Sequence, residues 1–494
     1  MITKAITNSK ALLASGGKID ENFVYFIAFL YSISTGEIGA VDLFKTGKNS
    51  KYGKYSQALR DVYRLGVGWS YGLATACEMI GRKVSDKKDD PLKLLLVKLS
   101  QVVRLGDDMK LFFRDELKNS LLTYAIKYES NLETQKLFSE MFYTLMSTAS
   151  FMIAANSIMS MLMGFGDAEQ ILIISMMGTG GGMAVFVAMM YFMFPRDKLA
   201  YTDGTIEKKF RMKIYLAMGA TIGITATFLI SGAIPSVLAV GIGGIPLLYP
   251  GIIAKKAESK IFGYTEWYPT FILHFGQLYS TVGSMGQALQ AVMRSNFGPI
   301  QRFINSFKNR IKNRIDQTTG FELFSIETGN HLIANGNAIV ATSIDKGADM
   351  NIVGNVVSDV TKKINELRGK RAQNASTFRL VVIILHVLSL SIFGLMNKLT
   401  ELFNDISGGD LSNAAFELTP VDPVLMEALM PILVIMTSII SGFAIKIIEG
   451  GVYKTAFFHV GLLVVIGGIA MYAINYFMAE FLESIIFTAP LPGL

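Results

Sequence analysis

The stretch FVYFIAFLYSISTGEIG at residues 23–39 decides how this chain is organised, because it occurs twice. Its counterpart at residues 271–286 reads FILHFGQLYSTVGSMG, and both copies place a Phe, a Leu-Tyr-Ser triplet and a Gly-x-x-Gly in the same order. Each copy is followed by a second shared landmark, LGDDM at residues 105–109 and KGADM at residues 346–350. Landmarks that recur in one order predict an internal duplication. We therefore expect two related modules, each opened by the first motif and closed by the second.

The composition indicates a membrane protein with large water-exposed parts. Of the 494 residues, 51% are hydrophobic, and the mean hydropathy of +0.41 is too high for an ordinary soluble domain. The 17% of charged residues nevertheless have to meet water. A single cysteine, Cys77, excludes an intrachain disulfide and a thiolate metal cluster. The opening MITKAITNSK lacks the apolar segment of a secretory signal, so we expect the first module to stay in the cytoplasm.

Seven apolar segments are long enough to cross a bilayer, since a helical span needs about 20 residues. Between them, apolar residues recur at helical spacing among charged ones, which is typical of soluble helical bundles. We therefore predict an all-α polytopic membrane protein. Its parts are a lead at 1–19, a helical module at 20–142, four spans within 144–254 (144–165, 170–194, 213–231 and 234–254), a second helical module at 262–371, three spans within 378–478 (378–397, 425–447 and 454–478) and a tail at 479–494.

The distribution of Lys and Arg predicts the orientation in the cytoplasmic membrane. The loops at 195–213 and 446–454 and the flanks of both modules are basic, whereas the loops at 166–169 and 398–424 are acidic. Positive loops stay on the cytoplasmic side. We expect both modules to be cytoplasmic and the C-terminus to lie outside. The net charge of +7 then reflects cytoplasmic loops rather than nucleic-acid binding.

No pattern for catalysis, a cofactor or a metal stands out. The segment TGKNS at 46–50 lacks the first glycine and the hydroxyl residue of a phosphate-binding loop. The four histidines form no His-x-x-x-His pair, so a zinc site has little support, although His386 and His459 could be polar contacts between spans or members of a proton relay. A transporter is expected to place ionisable groups at mid-membrane, and the first four spans have essentially none.

A duplicated helical module followed at once by transmembrane hairpins resembles the type II secretion system F family. These are the membrane platform proteins of type II secretion, type IV pilus and archaellum machines. The resemblance covers nearly the whole chain: the openings at 23–39 and 271–286, the closings at 106–109 and 347–350, and the spans behind each. Bacterial members usually have three spans. Four spans followed by three resemble the archaeal branch.

The resemblance implies a non-enzymatic platform without a cofactor. A hexameric ATPase of the secretion type would dock on the soluble modules, and its strokes would be transmitted to the spans. There, pilin-like or archaellin-like subunits would leave the membrane and enter an archaellum or a type IV pilus. The resemblance also implies a homodimer among membrane lipids.

Basic helix faces are the docking candidates, because complementary charge steers an acidic partner into place. Reversal of Arg310 and Arg314 to Glu would test them, and solvated faces or lipid headgroup contacts remain the alternative reading. The candidate cations are Arg302, Lys308, Arg310, Lys312 and Arg314 in the second module and Arg60, Arg64, Arg82, Lys83 and Arg104 in the first.

The glycines and aspartates of the repeat are expected to form tight helix ends and caps. These residues are Gly36, Gly39, Gly106 and Asp108 in the first copy and Gly283, Gly286, Gly347 and Asp349 in the second. Two other functions stay open: a polytopic transporter or channel, and a membrane receptor or scaffold with two cytoplasmic regulatory bundles. Loss of solute uptake on substitution of His386, His459 or Glu427 would favour the transporter.

Overall fold

The chain is an all-α polytopic membrane protein, as predicted. The structure, a computed structural model, describes residues 20–36, 38–84, 90–163, 168–194, 197–200, 204–407 and 423–488. The regular elements in these ranges are helices, and a single antiparallel bridge joins Ala200 to Asn330. The predicted lead at 1–19 lies outside the described residues, as does most of the acidic loop at 398–424.

The first module consists of five helices and the beginning of a sixth. Its fifth helix shows how the sequence sets the boundaries: the Asp90 carboxylate caps it by accepting from the Leu92 amide, Pro91 stands in its first turn, and Gly106 ends it in a left-handed conformation. The helices are α1 (Glu21–Ser34), α2 (Ala40–Gly47), α3 (Lys54–Tyr63), α4 (Leu73–Val84), α5 (Pro91–Leu105) and α6 (Met109–Met163).

The second module repeats this order between the spans. Its first helix is the end of a long membrane helix rather than a separate element. The membrane helices between the modules are α7 (Ala168–Met193), α8 (Gly204–Ser231) and α9 (Ser236–Gly243), and the second module follows with α10 (Ile245–Val282), α11 (Met285–Val292), α12 (Gln301–Lys312), α13 (Gln317–Thr328), α14 (His331–Asp345) and α15 (Met350–Ser407). The last two helices are α16 (Pro423–Glu449) and α17 (Ala456–Thr488).

The two modules share one hydrophobic core. Helix α1 is buried along its length from Phe23 to Ile33, and it packs against α6 of its own module and against α14 and α15 of the other. A helix that is apolar all round has to be enclosed on every side. Since neither module encloses α1 alone, the two modules fold as one bundle.

Six helices are long and apolar enough to cross a membrane. They overlap six of the seven predicted spans. Their ranges are Gln170–Met193, Met212–Ser231, Ser236–Val282 (α9 together with α10), Met350–Leu402, Glu427–Glu449 and Tyr453–Phe481. The remaining predicted span, 144–165, coincides with the C-terminal part of α6, and its last two residues lie outside the described ranges. That span stays a prediction.

Three helices run without interruption from the shared bundle into the bundle of long apolar helices, which we call the membrane bundle. Helix α6 reaches it along the predicted span 144–165, where Met146 and Ile153 pack against the other helices. The three helices are α6 with 55 residues, α10 with 38 and α15 with 58. At a rise of about 1.5 Å per residue, they are roughly 80, 55 and 85 Å long. The predicted boundaries near 255–261 and 372–377 are therefore positions within continuous helices.

Candidate functional site

The closing motifs of the repeat form matching helix caps. Gly106 and Gly347 adopt left-handed φ values of 75° and 64°. The carboxylates of Asp108 and Asp349 then accept a hydrogen bond from the amide two residues further on, at 2.7 Å and 3.0 Å. Each motif thus ends one helix and begins the long helix, α6 or α15, that leads to the membrane.

The opening motifs also lie at helix ends. Gly283 terminates α10 with a φ of 68°, and Gly286 lies in the first turn of α11. In the first copy, Gly39 immediately precedes α2. These glycines occupy the turns that connect the first two helices of each module.

Gly36, the remaining glycine of the opening motifs, lies between the modules. A Cβ atom at Gly36 would stand 2.6 Å from the Lys346 carbonyl oxygen, so the close approach requires glycine. Beside it, the Asp349 amide donates to the Thr35 hydroxyl at 3.2 Å. The opening of module one therefore contacts the closing of module two directly.

These contacts define the distal end, which is the end of the shared bundle where α6 begins at Met109 and α15 begins at Met350. Along α15, Met350 is roughly 40 Å from Phe378, where the predicted span starts. Helix α4 runs antiparallel to α5, since Gly81 packs on Leu96 and Glu78 reaches back to the end of α5. The turns that precede α4 and, in the second copy, α13 therefore lie at the distal end.

Two of the five candidate cations in module two have partners within their own module. Arg310 forms a two-bonded pair with Glu327, and its side chain is largely covered. Arg302 donates to the Tyr264 hydroxyl at 2.7 Å and stacks over the Phe303 ring. These contacts stabilise the bundle, so both arginines are less suited to docking than their charge suggests.

The other three candidates in module two lie on α12 or directly after it. Lys308 is half-buried, and Lys312 and Arg314 are exposed at the end of α12. Arg314 adopts a φ of 60°, which is uncommon for a residue other than glycine. Lys312 and Arg314 thus place exposed positive charge at the turn before α13, at the distal end.

In module one, Arg82 and Arg104 converge on a single carboxylate. They lie 2.6 Å and 3.1 Å from the two oxygens of Glu78. Exposed pairs of this kind contribute little to stability, but they lower the net charge of the face. The structure brings these two candidates together.

The remaining candidates of module one lie on α3, on the short π-helix Arg64–Gly68 that follows it, and on α4. Arg60 donates to the Lys48 carbonyl oxygen at 3.3 Å, and Arg64 pairs with Asp61 at 3.1 Å. Lys83 is exposed near the end of α4. Arg60 and Arg64 thus stand next to the distal turn of their own module.

That turn exposes aromatic side chains that the sequence reasoning did not single out. In RLGVGWSYG at residues 64–72, Trp69 is 64% exposed and Tyr71 is 53% exposed. Aromatic residues set between glycines in a turn have no helix face to bury them, and this pattern was the available signal. We call residues Val67–Tyr71 the aromatic turn.

Buried ion pairs lie where the bundle joins the membrane helices. Arg368 on α15 donates to the Glu21 carboxylate at 2.7 Å and to the Lys198 carbonyl oxygen at 3.2 Å. His331 at the start of α14 approaches the same carboxylate at 3.6 Å. The start of α1 is thereby attached to the second module.

One turn further along α15, Arg371 donates to one carboxylate and two carbonyl oxygens. Its guanidinium donates to Asp197 at 2.8 Å and to the carbonyl oxygens of Ile447 and Ile448 at 2.9 Å. The Tyr128 hydroxyl donates to the same aspartate at 3.0 Å. Arg371 therefore connects α6, α15, the loop after α7 and the end of α16.

A third group of charges surrounds the turn between α16 and α17. Lys446 lies 3.3 Å from Glu258 of α10 and 3.6 Å from Glu449. Glu449 also contacts Arg379 at 3.2 Å and His459 at 2.8 Å. We call the three groups together the ionic junction. Sequence reasoning counted most of its cations as evidence for orientation, because their carboxylate partners lie up to 347 residues away.

Electrostatics at the ionic junction favour charged Glu21. Burial alone would raise the pKa of its carboxyl group, but the positive charge of Arg368 and the hydrogen bond and charge of His331 together hold that pKa below its ordinary value. A buried carboxylate that stays ionised is a structural anchor.

The polar groups singled out in the spans have separate surroundings. His386 Nε2 lies 3.2 Å from both the Leu463 carbonyl oxygen and the Ser438 hydroxyl, which is a contact between membrane helices. His459 belongs to the ionic junction, and Glu427 is exposed at the start of its helix. Within the ranges that the structure describes, no group of three or more His, Cys, Asp and Glu side chains could hold a metal ion.

The chain is similar to two archaeal proteins over almost its whole length. Flagella accessory protein J of Methanocaldococcus jannaschii is 22% identical over 492 residues, which cover 96% of this chain and 87% of that protein. Flagella accessory protein J of Methanococcus voltae is 22% identical over 476 residues, covering 92% and 84%. No family model and no solved structure matches the chain. The predicted resemblance to the archaeal branch is confirmed by these two full-length matches.

Proposed function

We propose that this chain, a full-length relative of archaeal flagella accessory proteins, is a non-enzymatic membrane platform for assembly of an archaellum-type filament. A hexameric secretion-type ATPase docks on the distal end of the shared bundle. Its strokes move the membrane helices, where pilin-like or archaellin-like subunits leave the bilayer. The names of the two relatives favour an archaellum over another type IV pilus.

The observation that carries this proposal is the continuity of α6, α10 and α15. Each helix begins or ends in the shared bundle and also forms part of the membrane bundle. A helix transmits displacement along its axis because its backbone hydrogen bonds are closed within it. The buried ion pairs of the ionic junction hold these helices together where the shared bundle joins the membrane bundle.

The shared core supports the proposed orientation. Both modules lie on one side of the membrane because they enclose the same helix, α1. The chain then crosses the membrane an even number of times between them. Three candidate spans lie there, so a fourth in the C-terminal part of α6 completes the count, as predicted for 144–165. Basic loops make that side the cytoplasm, and the three later spans leave the C-terminus outside.

The proposed docking surface includes only some of the ten candidate cations. The exposed pair Lys312 and Arg314 supports docking best, because Arg302 and Arg310 are occupied within the bundle. These exposed charges act chiefly on the rate of association, which falls with added salt. The homodimer remains a prediction from the resemblance.

The test is binding of the purified secretion-type ATPase of the same organism to the full chain in lipid nanodiscs. Lys312→Glu with Arg314→Glu should slow association and abolish its dependence on salt, with fewer filaments on cells. Lys127→Glu with Lys136→Glu reverses two exposed cations on α6 and is the matched control. If the unaltered chain binds no ATPase at low salt, the proposed function is wrong.

A further inference from the structure

The aromatic turn is the most exposed aromatic surface at the distal end. Besides Trp69 and Tyr71, Val67 is 39% exposed there. At the end of α5, on the same end of the bundle, Leu105 is 74% exposed. Apolar surface gathered around a tryptophan is costly to leave in water, and it is characteristic of interaction sites.

The backbone holds this turn in one conformation. The amides of Trp69, Tyr71 and Gly72 donate to the carbonyl oxygens of residues 64, 65 and 66 at 3.0, 3.3 and 3.1 Å. Ser70 has a φ of 60°, a left-handed conformation that is unfavourable for serine. The exposed rings are thus preorganised, which reduces the entropy lost when a partner binds.

The position of the turn argues for a protein partner instead of a lipid surface. It lies at the distal end, roughly 40 Å along the helices from the predicted membrane boundary. Tryptophan and tyrosine that serve membranes lie at the interface itself. Arg60 on α3 and Arg64 directly after it lie beside the turn. Arg64 is paired with Asp61, so Arg60 is the cation that favours an acidic side chain on the complementary surface.

The same place in module two has different chemistry. The turn before α13 also contains a left-handed residue other than glycine, Arg314, but it presents Lys312 and Arg314 in place of aromatic rings. The duplication therefore places two turns at corresponding positions, where one partner can contact both. One carries apolar anchors and the other carries charge.

We propose that the aromatic turn is the anchoring contact for the docked ATPase, inserting Trp69 and Tyr71 into an apolar pocket bordered by carboxylates. This inference rests on the proposed function and deepens it. Tryptophan, tyrosine and arginine are the residues that most often dominate binding at protein interfaces. The aromatic turn determines how long the complex lasts, and the basic turn determines how fast it forms.

The experiment uses the full chain in nanodiscs and the same purified ATPase, with association and dissociation rates measured separately. Trp69→Ala and Tyr71→Ala should each speed dissociation by at least about tenfold and leave association nearly unchanged. Trp69→Phe should restore part of the lifetime. Leu122→Ala, at a residue 60% exposed on α6, is the matched control and should have no effect.

The outcomes separate this inference from the proposed function. Normal lifetimes in both alanine variants, with the unaltered chain still binding, would overturn the inference and leave the platform function standing. Binding of the turn to anionic phospholipid vesicles would show a lipid contact, and a changed oligomeric state in Trp69→Ala would show a contact between copies of this chain. Either result would also overturn it. Unchanged amide exchange in the core of each variant verifies folding.

Discussion

The two copies of the repeat differ most at their first helix. In module two this helix is the end of α10, which arrives directly from the membrane, whereas in module one it is the separate 14-residue helix α1. Module two is therefore attached to the membrane bundle at both ends, through α10 and α15. Module one continues into the membrane bundle through α6. Helix α1 is held by packing and charge, against α6 of its own module and against α14 and α15 of the other.

Contacts between the two modules hold both ends of α1. The beginning of α1 is fixed by the pair of Glu21 with Arg368, whose side chains are 14% and 2% exposed. Its end is fixed by the close approach of Gly36 to Lys346. Helix α10 is in addition continuous with the membrane bundle, and its buried carboxylate, Glu258, pairs with Lys446.

Removal of the Glu21 carboxylate should have the largest effect on this arrangement. In Glu21→Ala the buried Arg368 loses its main partner, and opening of α1 should become easier by about 3–5 kcal/mol. Amide hydrogen exchange of α1 in the full chain measures this free energy. Exchange in α10 should change far less, and an equal change in both helices would contradict the comparison.

Two controls accompany that measurement. Glu129→Ala breaks the exposed pair with Lys370 and should leave α1 unchanged. The double variant Glu21→Ala with Arg368→Met removes both buried charges and should recover part of the loss, because no unpaired charge then remains.

Low pH should also weaken the attachment of α1, because it protonates the Glu21 carboxylate. The pKa of Glu21 is lower in the folded protein than its ordinary value of 4.5, so its stabilising contribution is complete above pH 4.5 and is lost as the pH falls through the folded value. Exchange of α1 should therefore accelerate below about pH 4.5. Glu21→Gln should be less stable at neutral pH and should lack this acid dependence. Retention of the full dependence would assign it to another group.

Loss of the matching caps should have the smallest effect and should compare the copies directly. Asp108→Ala and Asp349→Ala each remove one N-cap carboxylate and should cost about 1 kcal/mol at the start of α6 or α15. The Asp349 amide is also held by Thr35, so Thr35→Ala should add to the loss in module two only. Amide hydrogen exchange at the first turns of α6 and α15 measures both effects.

The sequence predicted the parts of this fold that depend on local pattern. Apolar length indicated the six helices that are long and apolar enough to cross a membrane. The sequence did not predict that α6, α10 and α15 are continuous, because a change from polar to apolar composition marks a change of solvent and not a helix end. Nor did it pair Arg368 with Glu21 or Arg310 with Glu327, since the partners of an arginine are set by tertiary packing. The aromatic turn was missed because reasoning about docking followed charge alone.

Enclosure of α1 by both modules also has a consequence for biosynthesis. This helix leaves the ribosome before two of its partners, α14 and α15, which are made only after the intervening membrane spans. Until then a largely apolar helix has no complete binding site, and such exposed surface promotes aggregation. Module one can therefore finish folding only after module two has been synthesised, so a truncated chain that ends after the first group of spans should be cleared by proteolysis.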